Sequence, residues 1–195
     1  AMRHLCTPLF LCLWSAAAAA GDVSSAYTQF DIDKTCKQVE PGDEYVYAGT
    51  WKCAGGKYPD IIYSSSDDRD FVGFGKSGSE TCAFRKTFNA FNTALSPVEW
   101  RVKDGKVFAA IERWRVVIDE NGNTATWLVV SKVAGKEACA VSYVAGSYPD
   151  ANAVARTMAD SEAEGFDCEN DAPTVNSKVG PPDINLSSCS DLAGE

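Results

Sequence analysis

The sequence predicts an α+β domain: an antiparallel β-meander of about seven or eight strands, curved or folded into a sandwich, with one C-terminal helix packed on it. Three observations predict it. Tyr45 to Trp51 alternates aromatic and small residues and Val98 to Lys103 alternates apolar and charged ones, the period of a half-buried strand. Asp104-Gly105 and Asn121-Gly122 stand between expected strands, the residue types that two-residue hairpins favour. Ala151 to Glu164 then runs without Gly or Pro and carries apolar residues at helical spacing.

Taken in order, Gly21 to Glu44 is polar and reads as mostly irregular, with Pro41-Gly42 turning the chain. Tyr45 to Trp51 alternates aromatic and small residues, as a strand does. Asp60 to Tyr63 and Asp70 to Gly75 are two further short strands, separated by the turn-rich Ser64 to Asp68. Cys82 to Phe88 reads as a fourth strand, although Phe84, Phe88 and Phe91 also fit helical spacing. Val98, Trp100 and Val102 alternate with Glu99, Arg101 and Lys103, a strand with one wet face. Beyond the two hairpin signals lie strands at Val107 to Ile118 and Thr124 to Val133, and beyond a turn at Gly135-Lys136 lies Ala138 to Val144. Asp150 is placed to accept hydrogen bonds from the first free amides of the helix. Val154, Ala155, Met158 and Ala159 form its apolar stripe, and Gly165 stops it. After Cys168 the composition shifts to Asn, Asp, Pro, Ser and Gly, so Glu169 to Glu195 reads as a loose tail tethered by Cys189.

Met2 to Ala20 has the form of a secretory signal. Arg3 and His4 are the basic start, Leu5 to Trp14 is apolar apart from Thr7, and Ser15 with Ala16 to Ala20 offers small residues for cleavage before Gly21. The apolar stretch is too short for a transmembrane anchor and Pro8 interrupts it. Leu11 is bulky where a lipidated Cys12 would follow a small residue. The expected organisation is a signal peptide over 1–20, one disulfide-stabilised domain over 21–168 and a tail over 169–195. The expected location is the periplasm or the medium, with no membrane span after cleavage. Loss of Arg3 with the leader moves the net charge from −9 to −10. No Lys/Arg cluster offsets that charge, so nucleic acid is excluded as a partner.

Beyond residue 20 the chain has six cysteines and no histidine. Six cysteines allow fifteen pairings, and spacing leaves them all open. No Cys-x-x-Cys occurs and no histidine can complete a zinc set, so no metal or cofactor is expected. Ser-His-Asp, Cys-His and metal-His catalysis all lack a necessary residue. What remains is carboxylate, Lys, Ser or Tyr chemistry. The carboxylate candidates are Asp67, Asp68 and Asp70 around Arg69. Paired acids can hydrolyse a glycosidic bond when burial keeps one protonated. Acids so close together on a polar turn read more simply as a solvated loop, with Arg69 pairing one of them. Asp119 to Asn123 has a calcium-loop flavour, but Gly122 sits too early and the closing Glu is missing, which leaves a hairpin turn. Trp100, Arg101, Arg113, Trp114 and Arg115 form an Arg/Trp cluster on adjacent strands. On one exposed face they would make a stacking platform for a sugar or an anchor for a protein. The plainer reading buries Trp100 and Trp114, pairs the arginines with Glu99 and Glu112 outside, and places Phe84, Phe88 and Phe91 in the core.

Several short motifs also occur in an ordered series: Tyr27-Thr28 with Asp31 to Lys34, Trp51-Lys52-Cys53 with Gly55, Asp68 to Val72 with Gly75, Phe88 to Asn92, Glu99 to Arg101, Arg113-Trp114, and Pro149 to Ala153 with Ala155-Arg156. In this the chain resembles a family of uncharacterised exported proteins of alphaproteobacteria, rhizobia in particular, over Tyr27 to Cys168. The resemblance implies a periplasmic or secreted bacterial protein and no particular activity. It also implies bridges between Cys36 and Cys53 and between Cys139 and Cys168. Taken with it, Cys82 and Cys189 remain for a third bridge, and both Cys82 and the tail depart from the family pattern. The expected function is a non-catalytic binding or structural protein of the envelope, with a protein or an envelope polymer as partner. Asp68, Arg69, Asp70, Arg113 and Trp114 are the candidate binding residues. The alternatives are a carboxylate hydrolase of envelope polymers using Asp68 or Asp70, and a lysozyme-inhibitor-like protein.

Overall fold

The computed structural model describes residues 22–42, 48–178, 180 and 183–191. The expected signal peptide and the Tyr45 to Tyr47 part of the first expected strand lie outside the described residues. The chain is mostly β. Among the described residues, ten strands form a six-stranded sheet and a four-stranded sheet.

The meander lies where the alternation and turns put it. Strands β6 (Asn92–Lys103), β7 (Lys106–Val117), β8 (Thr124–Ala134) and β9 (Glu137–Ala145) pair antiparallel in sequence order. Asp104 and Gly105 both take positive φ, as the two central residues of the β6–β7 hairpin. The smaller sheet holds β2 (Cys36–Pro41), β3 (Gly49–Cys53), β4 (Ile61–Ser66) and β5 (Arg69–Phe74). Asp67 and Asp68, both at positive φ, close the β4–β5 hairpin between the paired Ser66 and Arg69.

The architecture differs from a single meander in three ways. Strand β1 (Val23–Thr28), which like β2 lies in a segment expected to be irregular, pairs antiparallel with β6, Ser25 opposite Arg101. Strand β10 (Thr174–Asn176), in the segment read as a loose tail, adds to β9 in parallel, so the large sheet is mixed. Cys82 to Phe88 is not a strand: Cys82–Arg85 is a short helix, α1, and Phe88 extends only to a single bridge with Ile184. Packing explains the last point. Gly73 of β5 lies against Gly78, where a Cβ would meet the Gly78 carbonyl oxygen at 2.1 Å. The turn that follows β5 therefore folds back onto the sheet, and α1 continues it. The described part of the tail is docked as well. Asn89 N donates to Asp183 O at 2.9 Å, and Lys86 Nζ donates to the Ser187 carbonyl.

Two apolar layers follow from strand parity. Ala110, Trp114 and Val116 of β7 face the small sheet, in a core with Trp51, Tyr63, Phe74, Phe88, Trp100 and Tyr143. Ala109 and Ile111 face the other way, against helix α2 (Ala151–Glu162), whose Ala155 and Ala159 are fully buried. Helix α2 thus covers the face of β6 expected to be wet. Arg101 donates through Nε and Nη2 to both Asp160 oxygens, at 2.7 and 2.6 Å, and Arg156 grips Glu99 at 2.6 Å. Asp150 takes a left-handed conformation and its side chain makes no capping bond, contrary to expectation.

Three disulfides fasten this arrangement. Cys36–Cys53 joins directly opposed residues of β2 and β3. Cys139–Cys168 ties β9 to the chain after α2, and Cys82–Cys189 ties α1 to the tail. Cys36–Cys53 and Cys139–Cys168 are the pairs the family resemblance implied, and Cys82–Cys189 is the pair that was left over.

Candidate functional site

The acid cluster divides. Asp67 and Asp68 sit on the exposed β4–β5 turn, whereas Asp70 is buried. Asp70 Oδ2 accepts the Ala94 amide at 2.9 Å, and Tyr63 and Ser65 also donate to the carboxylate. Its amide in turn donates to Asn92 Oδ1 at 3.1 Å. Burial raises the Asp70 pKa, and those donors pull it back only in part. The solvated-loop reading therefore fails at Asp70, which stitches β5 to β6. Asp68 and Asp70 both border a shallow depression with Tyr63, Asn92 and Arg115, yet the Asp70 carboxylate is already committed to its donors.

Arg69 is held rather than free. Nε donates to Asn89 O at 2.7 Å, Nη1 reaches the Asp67 carbonyl at 3.0 Å and the Asp67 carboxylate, and the guanidinium lies 5.2 Å over the Phe91 ring. That stack forms one wall of an open groove with Ile118, Val117 and Trp127. Phe91 is 48% exposed and Ile118 60% exposed, so Phe91 is not core as expected. Asp119, Glu120 and Asp183 bring negative charge to the same groove. Asp119 is also the anchor of its own turn. It accepts from the Asn121 and Asn123 amides and from Asn123 Nδ2, and the Asn123 side chain leads in lowering its pKa.

The Arg/Trp cluster does not assemble. Arg113 donates to Asn152 Oδ1 of α2 at 2.8 Å, while Trp114 faces the opposite layer, its ring 5.6 Å from Phe88. Trp100 is fully buried, with Nε1 donating to Thr28 Oγ1 at 2.8 Å. Glu112 is not outside with an arginine. It is 3% exposed, in phase with Trp114 at 4%, and burial raises its pKa well above the ordinary carboxyl range. The nearby Trp114 side chain opposes that rise and the Asp70 charge reinforces it. Strand parity was the signal for Glu112: if Trp114 points in, so does the residue two before it.

Among the described residues, no cluster of three or more His, Cys, Asp or Glu side chains is gathered to hold a metal. Among them, too, no helix is long and apolar enough to cross a membrane. No family model, curated protein or solved structure matches this chain. The site must be read from its own chemistry.

Proposed function

We propose that this is an exported, non-catalytic binding protein of the bacterial envelope, and that the Phe91–Ile118 groove is its contact face. The observation that carries the reading is the exposure of these two apolar side chains in one groove beside three acids. Exposed apolar surface rimmed by polar groups is characteristic of interaction sites. The acids Asp119, Glu120 and Asp183, on a chain of net charge −9, favour a protein partner whose apolar knob is ringed by Lys or Arg. Arg69 adds little positive charge there, because Asp67 engages it. Three disulfides and a β-rich fold suit an oxidising compartment, which supports export. The hydrolase alternative is weakened by Asp70, whose carboxylate already serves Ala94, Tyr63 and Ser65.

The test is binding of the disulfide-intact protein to a panel of immobilised basic and acidic proteins, with lysozyme among the basic ones. Phe91→Asp and Ile118→Asp serve as controls. A basic partner should be retained, released by added salt and lost with either substitution. Unchanged binding by both variants, or preference for acidic partners, would overturn the assignment. Inhibition of lysozyme would place the protein among lysozyme inhibitors, with this groove as the inhibitory face.

A further inference from the structure

The interior between the two sheets holds a second site, independent of the surface groove. Glu112 and Trp114 lie two residues apart on β7 and share its inward face. Glu112 Oε1 and Trp114 Nε1 are the buried side-chain polar atoms that lack a hydrogen-bond partner among the described residues. Both residues line a cavity of about 20 Å³, together with Ser131 of β8, Tyr143 of β9 and Thr87. Ile184 of the tail forms part of its wall, and the Cys82–Cys189 bridge holds that part of the chain down. Thr87 is already spent, its hydroxyl donating to Asp70 O at 2.6 Å. Lys86, which also borders the cavity, directs its ammonium to the Ser187 carbonyl.

Unpartnered buried polar atoms are rare in native proteins because leaving one unsatisfied is costly. The two groups here are complementary in kind, an indole N–H that only donates and a carboxyl oxygen that accepts. The Trp114 side chain is close enough to lower the Glu112 pKa, yet Nε1 and Oε1 make no hydrogen bond of normal geometry. A third group is needed to complete the geometry. A cavity holds a water when it offers roughly 10–15 Å³ or more and two to four polar partners, and both conditions are met.

We infer that this cavity is a structural water site, in which one buried water accepts from Trp114 Nε1–H and donates to Glu112 Oε1. The Ser131 and Tyr143 hydroxyls complete its coordination. The water joins β7 to β8 and β9 inside the sandwich, and it is enclosed by the docked tail. Its ligand set explains why a carboxyl stands in an otherwise apolar layer: Glu112 is a water ligand rather than half of an ion pair.

The experiment uses the intact wild-type protein labelled with nitrogen-15. Trp114→Phe identifies the Trp114 indole resonance as the one that disappears from the spectrum. In wild type, that indole proton should show a nuclear Overhauser effect to water of the same sign as within the protein, and of opposite sign in the rotating frame, the mark of a long-lived bound water. A crystal structure should place an ordered oxygen within about 2.6–3.2 Å of both Trp114 Nε1 and Glu112 Oε1. Glu112→Met fills the space with an apolar chain and should abolish the water signal while leaving the amide spectrum dispersed. A direct Trp114–Glu112 hydrogen bond with no water signal would overturn the inference. So would a water signal that persists unchanged in Glu112→Met.

Discussion

Glu112 should make this protein more stable in mild acid than at neutral pH. Its carboxyl is buried, and burial raises its pKa well above the ordinary value of 4.5. An acid with a raised folded-state pKa binds its proton more tightly in the native state than in the unfolded chain. Its contribution is therefore fully present below the unfolded pKa and is lost as pH rises towards the folded one. One proton of difference gives a slope of about 1.4 kcal/mol per pH unit across that window. For a domain of this size, that slope corresponds to a fall of roughly 3–6 °C in Tm per pH unit.

The other ionisable groups leave that window readable. Asp31, Asp60, Asp119 and Asp167 are held below 3.8, chiefly by side-chain hydrogen bonds from Lys34, Lys52, Asn123 and Asn170. Their stabilisation is lost only as pH falls through those lowered values. The groups facing Glu112 are Asp70, Lys86 and Tyr143. Burial raises Asp70, which adds a fall of the same sign starting from 3.8, and burial keeps the Tyr143 phenol neutral. Burial lowers Lys86, an effect common to wild type and variant. The assay is urea unfolding from pH 4.5 to 8 for wild type and Glu112→Gln, which keeps the shape of the protonated acid without its titration. The wild-type midpoint should fall relative to that of the variant as pH rises. Parallel profiles over the whole range would refute the argument.

The acid cluster should separate on mutation. Asp68→Asn, on the exposed turn, should change stability by less than about 0.5 kcal/mol. Asp70→Asn should cost about 1–3 kcal/mol, because it sets an amide group against the donors that hold the buried carboxylate; equal effects in urea unfolding would contradict the placement of Asp70. Replacing Cys82 and Cys189 together by Ser opens a loop spanning 107 residues. Urea unfolding should show a loss of about 4–5 kcal/mol on the chain-entropy account, and a loss below about 1 kcal/mol would mean that the docked tail alone supplies the constraint.

What was legible in the sequence was the structure written locally. The β6 to β9 meander announces itself because β6 alternates over Val98 to Lys103 and each turn carries residues suited to positive φ, as Asp104-Gly105 does. Strands β1 and β2 are not written that way. Val23–Thr28 is a polar edge strand and Cys36–Pro41 is almost wholly exposed, so their partners, Lys103 to Val98 and Cys53 to Gly49, make them strands. Phe84, Phe88 and Phe91 carry no decisive period, because three environments claim them: the Phe71 ring, the sandwich core and the open groove.

The charged residues of β6 and β7 hold the more useful lesson. Pairing Glu112 with an arginine outside conflicted with burying Trp114, since residues two apart on a regular strand share a face. Parity alone placed Glu112 inside. The opposite parity placed Glu99 and Arg101 away from Trp100, but away did not mean wet, because α2 returns over that face with Arg156 and Asp160. Periodicity therefore fixes the side to which a residue points. What lies on that side depends on elements the strand does not encode. A charge in phase with a core aromatic is consequently a stronger sequence signal than an acidic turn: it needs a partner, a proton or a water wherever the rest of the chain goes, whereas Asp67 and Asp68 need only solvent.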